Sequence, residues 1–166
     1  MTELWPHFAI LGFVTLQRAV ELPIARANTA RLLTAGGREV APGHYPLIVL
    51  LHAAWLAALW WWAPGRPISL VLLTLFVLVE IARIWVLRTL GPRWTTRIIV
   101  VPGETLVRRG PYRLVNHPNY AVVVSEIALL PLVFGLWQVA LIFSLLNGAI
   151  LWVRIRAENA ALGRAI

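Results

Sequence analysis

An all-α integral membrane bundle of about five transmembrane helices is the fold this chain predicts, and three observations carry that reading. Of 166 residues, 60% are hydrophobic and only 13% are charged, whereas a soluble domain is nearer half apolar and a quarter charged. The apolar residues gather into five runs, over about 4–22, 47–63, 68–87, 119–134 and 136–153. The longer runs match a hydrocarbon layer of roughly 30 Å. The formal charge of +8 comes from arginines that flank those runs, a pattern of membrane topology and not of a nucleic-acid surface. A chain of this size, read as one domain over 1–166, leaves room for little beyond the bundle.

The first run carries Gln17, Arg18 and Glu21 at its inner end. Arg18 and Glu21 are three residues apart and can pair on one helical face. That pair reads as an interfacial salt bridge with a snorkelling arginine, in preference to a direct site role. A polar segment over 23–44 follows, with Arg26, Arg31, Arg38 and the turn signal Gly36-Gly37. Residues 28–33 are expected to extend the helix beyond the membrane. Pro42-Gly43-His44-Tyr45-Pro46 then breaks the chain before the second run, which holds His52 and the cluster Trp55, Trp60, Trp61 and Trp62. The tryptophans read as an aromatic belt. Pro64-Gly65-Arg66-Pro67 is a turn.

Glu80 and Arg83 stand near the end of the third run, and paired they would meet Arg18 and Glu21 of the first. Residues 88–116 form the longest polar connection, with a short β-prone stretch over 98–101 closed by Pro102-Gly103. The fourth run ends near Pro131 and is short. With Gly135 and the fifth run it predicts a tight helical hairpin whose short arm need not cross fully.

Thirteen of the fifteen arginines fall in 23–45, 83–118 and 154–166, and Arg66 is the one arginine of the opposite side. With five spans, the positive-inside rule puts the N-terminus outside and the C-terminus in the cytoplasm. No cleavable leader is expected, since the first run lacks a basic start and a small-residue cleavage site. The chain has no cysteine, so disulfides, thiolate nucleophiles and cysteine-held metals are excluded. Every basic residue is arginine, which excludes lysine Schiff-base chemistry as well. His7, His44, His52 and His117 show no metal-ligand spacing, so no metal and no nucleic acid are expected as partners.

Between the two apolar halves lies Arg109-Gly110-Pro111-Tyr112-Arg113-Leu114-Val115-Asn116-His117-Pro118-Asn119-Tyr120. Pro118 pushes His117 out of helical dihedrals and can open the next helix at its first position. The free backbone N–H groups there suit an anionic ligand group; an ordinary interhelical loop is the competing reading. In the fifth run, Asn147, Leu151, Arg154 and Glu158 fall at offsets of four, seven and eleven, one helical face. An amide, a guanidinium and a carboxylate thus form a stripe, against the plainer reading of an i,i+4 ion pair. Ser125 and Glu126 lie in the fourth run. A carboxyl group at that depth must face protein or a wet cavity.

Taken together, Gly110-Pro111-Tyr112-Arg113, His117-Pro118-Asn119-Tyr120 and Arg154-Ile155-Arg156-Ala157-Glu158 resemble the isoprenylcysteine carboxyl methyltransferase family. The resemblance covers about 88–162. Asn116 stands where the family usually has Arg, and Val122 where it often has Gly. Asn119-Tyr120, Glu126, Thr95-Thr96-Arg97 and Ser144-Leu145-Leu146-Asn147 are similar to a bacterial branch that methylates alkylpyrones or alkylresorcinols.

The resemblance implies an integral membrane methyltransferase of the bacterial inner membrane. S-Adenosylmethionine would be its cofactor, and its acceptor a lipophilic carboxylate or ring hydroxyl. It implies a cytoplasmic cofactor-binding region over about 88–166. Arg154 and Glu158 become the catalytic pair, with Tyr112, His117, Pro118, Asn119, Tyr120 and Glu158 at the cofactor. Glu126, Asn147 and Arg154 are then expected at the acceptor. The residue chemistry is compatible, because a sulfonium methyl is already activated and needs in-line positioning and a cation for the acceptor oxygen. Two other readings stay open: a phospholipid N-methyltransferase, and a membrane scaffold or transport subunit without chemistry.

Overall fold

The computed structural model describes residues 3–163. Five helices form the molecule: α1 (Trp5–Thr34), α2 (Tyr45–Trp62), α3 (Leu70–Leu90), α4 (Pro118–Val133) and α5 (Trp137–Ala161). Four of them are long and apolar enough to cross a membrane, and α4 is a shorter apolar helix. The expected all-α membrane bundle is therefore the observed one.

α1 runs for 30 residues, about 45 Å at 1.5 Å per residue, well past the span expected to end near 22. Pro23 lies inside it. One proline removes a single backbone bond, and the Ala-, Arg- and Leu-rich residues that follow keep the helix going. The polar segment expected over 23–44 is thus helical as far as Thr34. Ser69 caps α3, its hydroxyl accepting from the Leu72 N–H. Pro118 opens α4 at its first position, with His117 at φ −131° and ψ 62° outside the helix.

The two ends of the bundle differ. At one end the His7 ring nitrogen bonds the Arg66 carbonyl at 2.8 Å, and its ring stacks on Phe134. There too the Ser69 N–H donates to the Val133 carbonyl at 2.9 Å. That bond brings the tip of the α4–α5 hairpin level with the start of α3, so the short arm does reach this end. Leu11, Val14, Trp55, Leu59, Ile127, Leu130 and Phe134 pack into a dense core behind it.

At the opposite end the connections are long and polar. Two short strands, β1 (Arg38–Glu39) and β2 (Ile99–Val100), pair antiparallel with Arg38 opposite Val100. The β-prone stretch over 98–101 finds its partner 60 residues away, in a segment with no strand pattern of its own. Arg97 reinforces the pairing through both oxygens of Glu39, at 2.8 and 2.9 Å. Asn28 on the extended α1 holds the following loop, donating to the Trp94 carbonyl at 2.8 Å.

Lipid tails are as apolar as leucine, so apolar contact alone does little to hold helices together within a bilayer. Here a buried ionic cluster joins three of them. Arg83 on α3 donates from Nε to Glu21 of α1 at 2.6 Å, with a second, very short contact through Nη2. Its Nη1 reaches both oxygens of Glu126 on α4 at 2.9 Å. Arg18 adds a bond to Glu126 at 2.5 Å and a longer one to Glu21 at 3.4 Å. Arg83 meets Glu21 as predicted, but Glu80 does not pair with it and accepts instead from Gln17 at 2.7 Å, and the snorkelling arginine is absent too. Arg18 turns inward because two buried carboxylates balance it and Arg83 there.

Candidate active site

The site is built where α4 begins and α5 ends. Gly110 has φ +54°, and a Cβ there would lie 2.7 Å from Thr89 Oγ1 and 3.2 Å from Trp85 Nε1 on α3. Only glycine takes this turn without strain. It launches the short 3-10 turn Gly110–Arg113, which presents Tyr112, and the chain then enters α4 through His117 and Pro118. No side chain caps the start of α4.

On α5 the stripe forms as expected, with Asn147, Leu151 and Arg154 buried on the inward face. Arg154 and Glu158 do not form the i,i+4 ion pair. The Tyr120 hydroxyl stands between them, donating to Glu158 at 2.5 Å and accepting from Arg154 Nε at 2.9 Å. The direction is fixed, because an ionised carboxylate only accepts and a guanidinium only donates. Arg154 Nη2 also donates to the Thr96 carbonyl at 2.8 Å. Two of the five N–H groups of a guanidinium are thereby used, leaving three for a ligand. His117 stacks on the Tyr120 ring at 5.3 Å. Its Nε2 lies 3.2 Å from Asn159 Oδ1, and Nδ1 lies 3.8 Å from Glu158.

Two cavities share this wall. One, of about 220 Å³, has a mixed lining, with Tyr112, Asn116, His117, Asn119, Tyr120 and Glu158 facing aliphatic residues such as Ile99 and Leu106. The other, of about 260 Å³ and mostly apolar, runs between α1, α2, α3, α4 and α5 past Ile48, Leu56, Val123, Asn147 and Leu151, with Arg18, Glu21 and Arg83 of the ionic cluster also on its wall. Trp94, Thr95, Asn119, Tyr120 and Arg154 line both. Burial and the negative charge of Glu158 push the Tyr112 phenol well above its ordinary range. It therefore stays a protonated donor at neutral pH.

Most of the predicted site residues converge here, with two corrections. Glu126, expected at the acceptor, is fully buried and lines neither cavity; Arg18 and Arg83 occupy both its oxygens. A carboxylate at that depth is held where charge can balance it, and the arginines of α1 and α3 lie nearer than either cavity does. Pro118, expected at the cofactor, is also buried and lines neither cavity. It shapes the turn that presents His117 and Asn119.

Other contributors escaped the sequence. Thr96 acts through its backbone carbonyl, which leaves no side-chain signature. Tyr45 meets the Thr96 hydroxyl at 3.3 Å and lies under the Arg97 guanidinium at 4.2 Å. Asn159, buried beside His117, had a readable signal: a polar residue next to the stripe on α5. Among the described residues no three metal-ligating side chains gather.

Helices and cavities together define an integral membrane protein with a pocket of mixed lining and an apolar pocket side by side at one end. The model of the isoprenylcysteine carboxyl methyltransferase family matches residues 71–164, which hold α4, α5 and all but the first residue of α3. The chain belongs to that family and is a membrane methyltransferase. It is also 38% identical to the uncharacterized protein YpbQ of Bacillus subtilis (strain 168), over 92% of this chain and 94% of the relative. No solved structure matches it.

Proposed function

We propose that this methyltransferase moves a methyl group from S-adenosylmethionine to an oxygen of a lipophilic acceptor, such as an alkylresorcinol or alkylpyrone hydroxyl or an isoprenylcysteine-type carboxylate. The observation that carries the reading is the wall shared by a cavity of mixed lining and an apolar one, formed by Asn119, Tyr120 and Arg154. A water-borne donor with polar and apolar parts and a lipid-borne acceptor need adjoining sites of different polarity.

The polar residues of the mixed cavity fit the cofactor. The uncapped start of α4 and the Tyr112 hydroxyl supply donors for its carboxylate and ribose oxygens. Glu158 offers a negative charge to its cationic groups, and the His117 and Tyr120 rings give a flat apolar surface for the base. When bound, S-adenosylmethionine supplies a methyl carbon already activated by its sulfonium.

Arg154 does the work on the acceptor side. Its remaining N–H groups hold the acceptor oxygen and favour the ionised form of an acidic hydroxyl or carboxyl. No strong base is then required. The Tyr120 hydroxyl and the Thr96 carbonyl fix the guanidinium plane, so the bound oxygen is aimed along one line. Such positioning is where most of the rate is gained in a transfer with little acid–base chemistry. An amine acceptor, as in phospholipid N-methylation, has to lose a proton and is repelled while charged by a guanidinium. Cofactor and arginine both stand at the Arg-rich end, which we assign to the cytoplasm of a bacterial inner membrane, with the N-terminus outside.

The test is transfer of label from S-adenosylmethionine by detergent-purified protein to three lipids: an alkylresorcinol, a prenylated cysteine and phosphatidylethanolamine. Methylated resorcinol or cysteine is the expected product. Methylated ethanolamine would establish the N-methyltransferase reading instead. Failure to bind the labelled cofactor at all would leave a non-catalytic membrane protein.

A further inference from the structure

The apolar cavity carries a second set of polar groups that the methyl transfer does not use. The face of α2 that lines it includes Tyr45, Ile48, Val49, His52 and Leu56, spaced as one helical face. Thr96 ties the cytoplasmic level of this face together, because its carbonyl accepts from Arg154 and its hydroxyl contacts Tyr45. His52 lies seven residues beyond Tyr45, and Asn147 seven residues before Arg154. α2 and α5 run in opposite directions, so both steps lead the same way. They end about 10 Å deeper in the membrane, two helical turns below the methyl-transfer level.

Both deep groups keep polar atoms free. Asn147 is only 3% exposed and lines the cavity, yet its amide makes no hydrogen bond among the described residues. The His52 Nδ1 lies 2.8 Å from the Ile48 carbonyl. A carbonyl only accepts, so Nδ1 donates its proton there, which leaves Nε2 as the ring nitrogen open to the cavity. A buried amide without a partner costs free energy unless a ligand or water satisfies it, and the half-buried imidazole keeps one nitrogen open to the same cavity. The amide offers two N–H donors and a carbonyl acceptor, and Nε2 adds a hydrogen-bonding ring nitrogen, a set that a hydroxyl or a keto group can meet.

We infer that Asn147 and His52 form a second recognition point for the acceptor, specific for a hydroxyl or keto oxygen carried on its chain about 10 Å from the methylated oxygen. The acceptor class is thus a lipid oxygenated at two separated places. The inference rests on the proposed O-methylation, since it uses Arg154 as the level of the methylated oxygen. A plain alkyl chain would leave the deep amide and imidazole to water or to nothing.

The experiment uses a matched pair of alkylresorcinols of equal chain length, one plain and one with a hydroxyl at that distance from the ring. Binding is read on the full-length detergent-purified protein as protection against thermal unfolding, and methyl transfer is measured in parallel. The wild type should bind the chain-oxygenated lipid about tenfold more tightly, the worth of one good buried hydrogen bond. Asn147→Leu and His52→Phe should each bring that ratio close to one, and Asn147→Gln should retain part of it. Equal binding of the two lipids by the wild type would overturn the inference, as would a ratio that Asn147→Leu leaves intact. Discriminating binding without methyl transfer would instead refute the proposed reaction while leaving the second recognition point standing.

Discussion

Arg154 and Glu158 stand one turn apart on α5 and are joined through the Tyr120 hydroxyl, not to each other. The helix places both on one face, but α4 supplies the group that couples them. A charge change at either end therefore reaches the other through a single hydroxyl.

Tyr120→Phe should accordingly behave as a positioning variant. It keeps the ring that stacks on His117 and removes the bridge. We expect kcat to fall about ten- to a hundredfold, because a misplaced guanidinium loses its aim, while the protein still purifies folded. A near-normal kcat would show that Arg154 is held well enough by Thr96 alone.

Arg154→Leu removes the cation for the acceptor oxygen and should cost about a hundred- to a thousandfold. Arg154→Lys keeps the charge but loses the planar fork and should recover only a small part. The double change Arg154→Leu with Glu158→Leu should be no worse than the more severe single change, since groups acting as a unit are non-additive. Rates near normal for Arg154→Lys would remove the guanidinium geometry from the mechanism.

The ionic cluster predicts a stability effect. Arg83→Met leaves Glu21 and Glu126 with Arg18 as their remaining cation, and breaking a buried pair from one side costs about 3–5 kcal/mol. Thermal unfolding in detergent should show a large loss. Changing Arg83 to Met with Glu126 to Gln should recover much of it. No recovery would mean that the cluster is not balanced pair by pair.

Alkaline stability should depend on Tyr112. Its phenol is raised in the folded protein, by burial first and by Glu158 second. The unfolded phenol ionises at about 10, so the unfolded chain loses this proton first. The stability contribution is complete below about pH 10 and declines as pH rises beyond it. Tyr112→Phe should flatten the fall in unfolding temperature between about pH 10 and 12. An unchanged slope would show that the phenol is freely exposed to solvent.

Topology is checked by reporter fusions. Fusions at residue 66 should report the exterior and fusions at residue 166 the cytoplasm. The reverse pattern would remove the Arg-rich end from contact with a cytosolic donor.

The fold class and the stripe on α5 were legible in the chain because they depend on local periodicity. A run of apolar residues as long as the bilayer is thick has little choice but to be a helix, and residues at 147, 151, 154 and 158 then share a face wherever that helix packs. The turn at His117-Pro118 was legible for the same reason, since proline restricts its own neighbour. What the sequence could not determine was which polar groups would meet. Glu126, Asn147 and Arg154 were all expected at the acceptor, with Arg154 also paired with Glu158 as the catalytic group. Packing assigned Glu126 to Arg83 and Arg18, gave Arg154 to Tyr120 and Thr96, and left Asn147 facing a cavity. Inside a bilayer each buried charge takes the nearest group that balances it, and nearness across three helices is fixed only when the bundle closes.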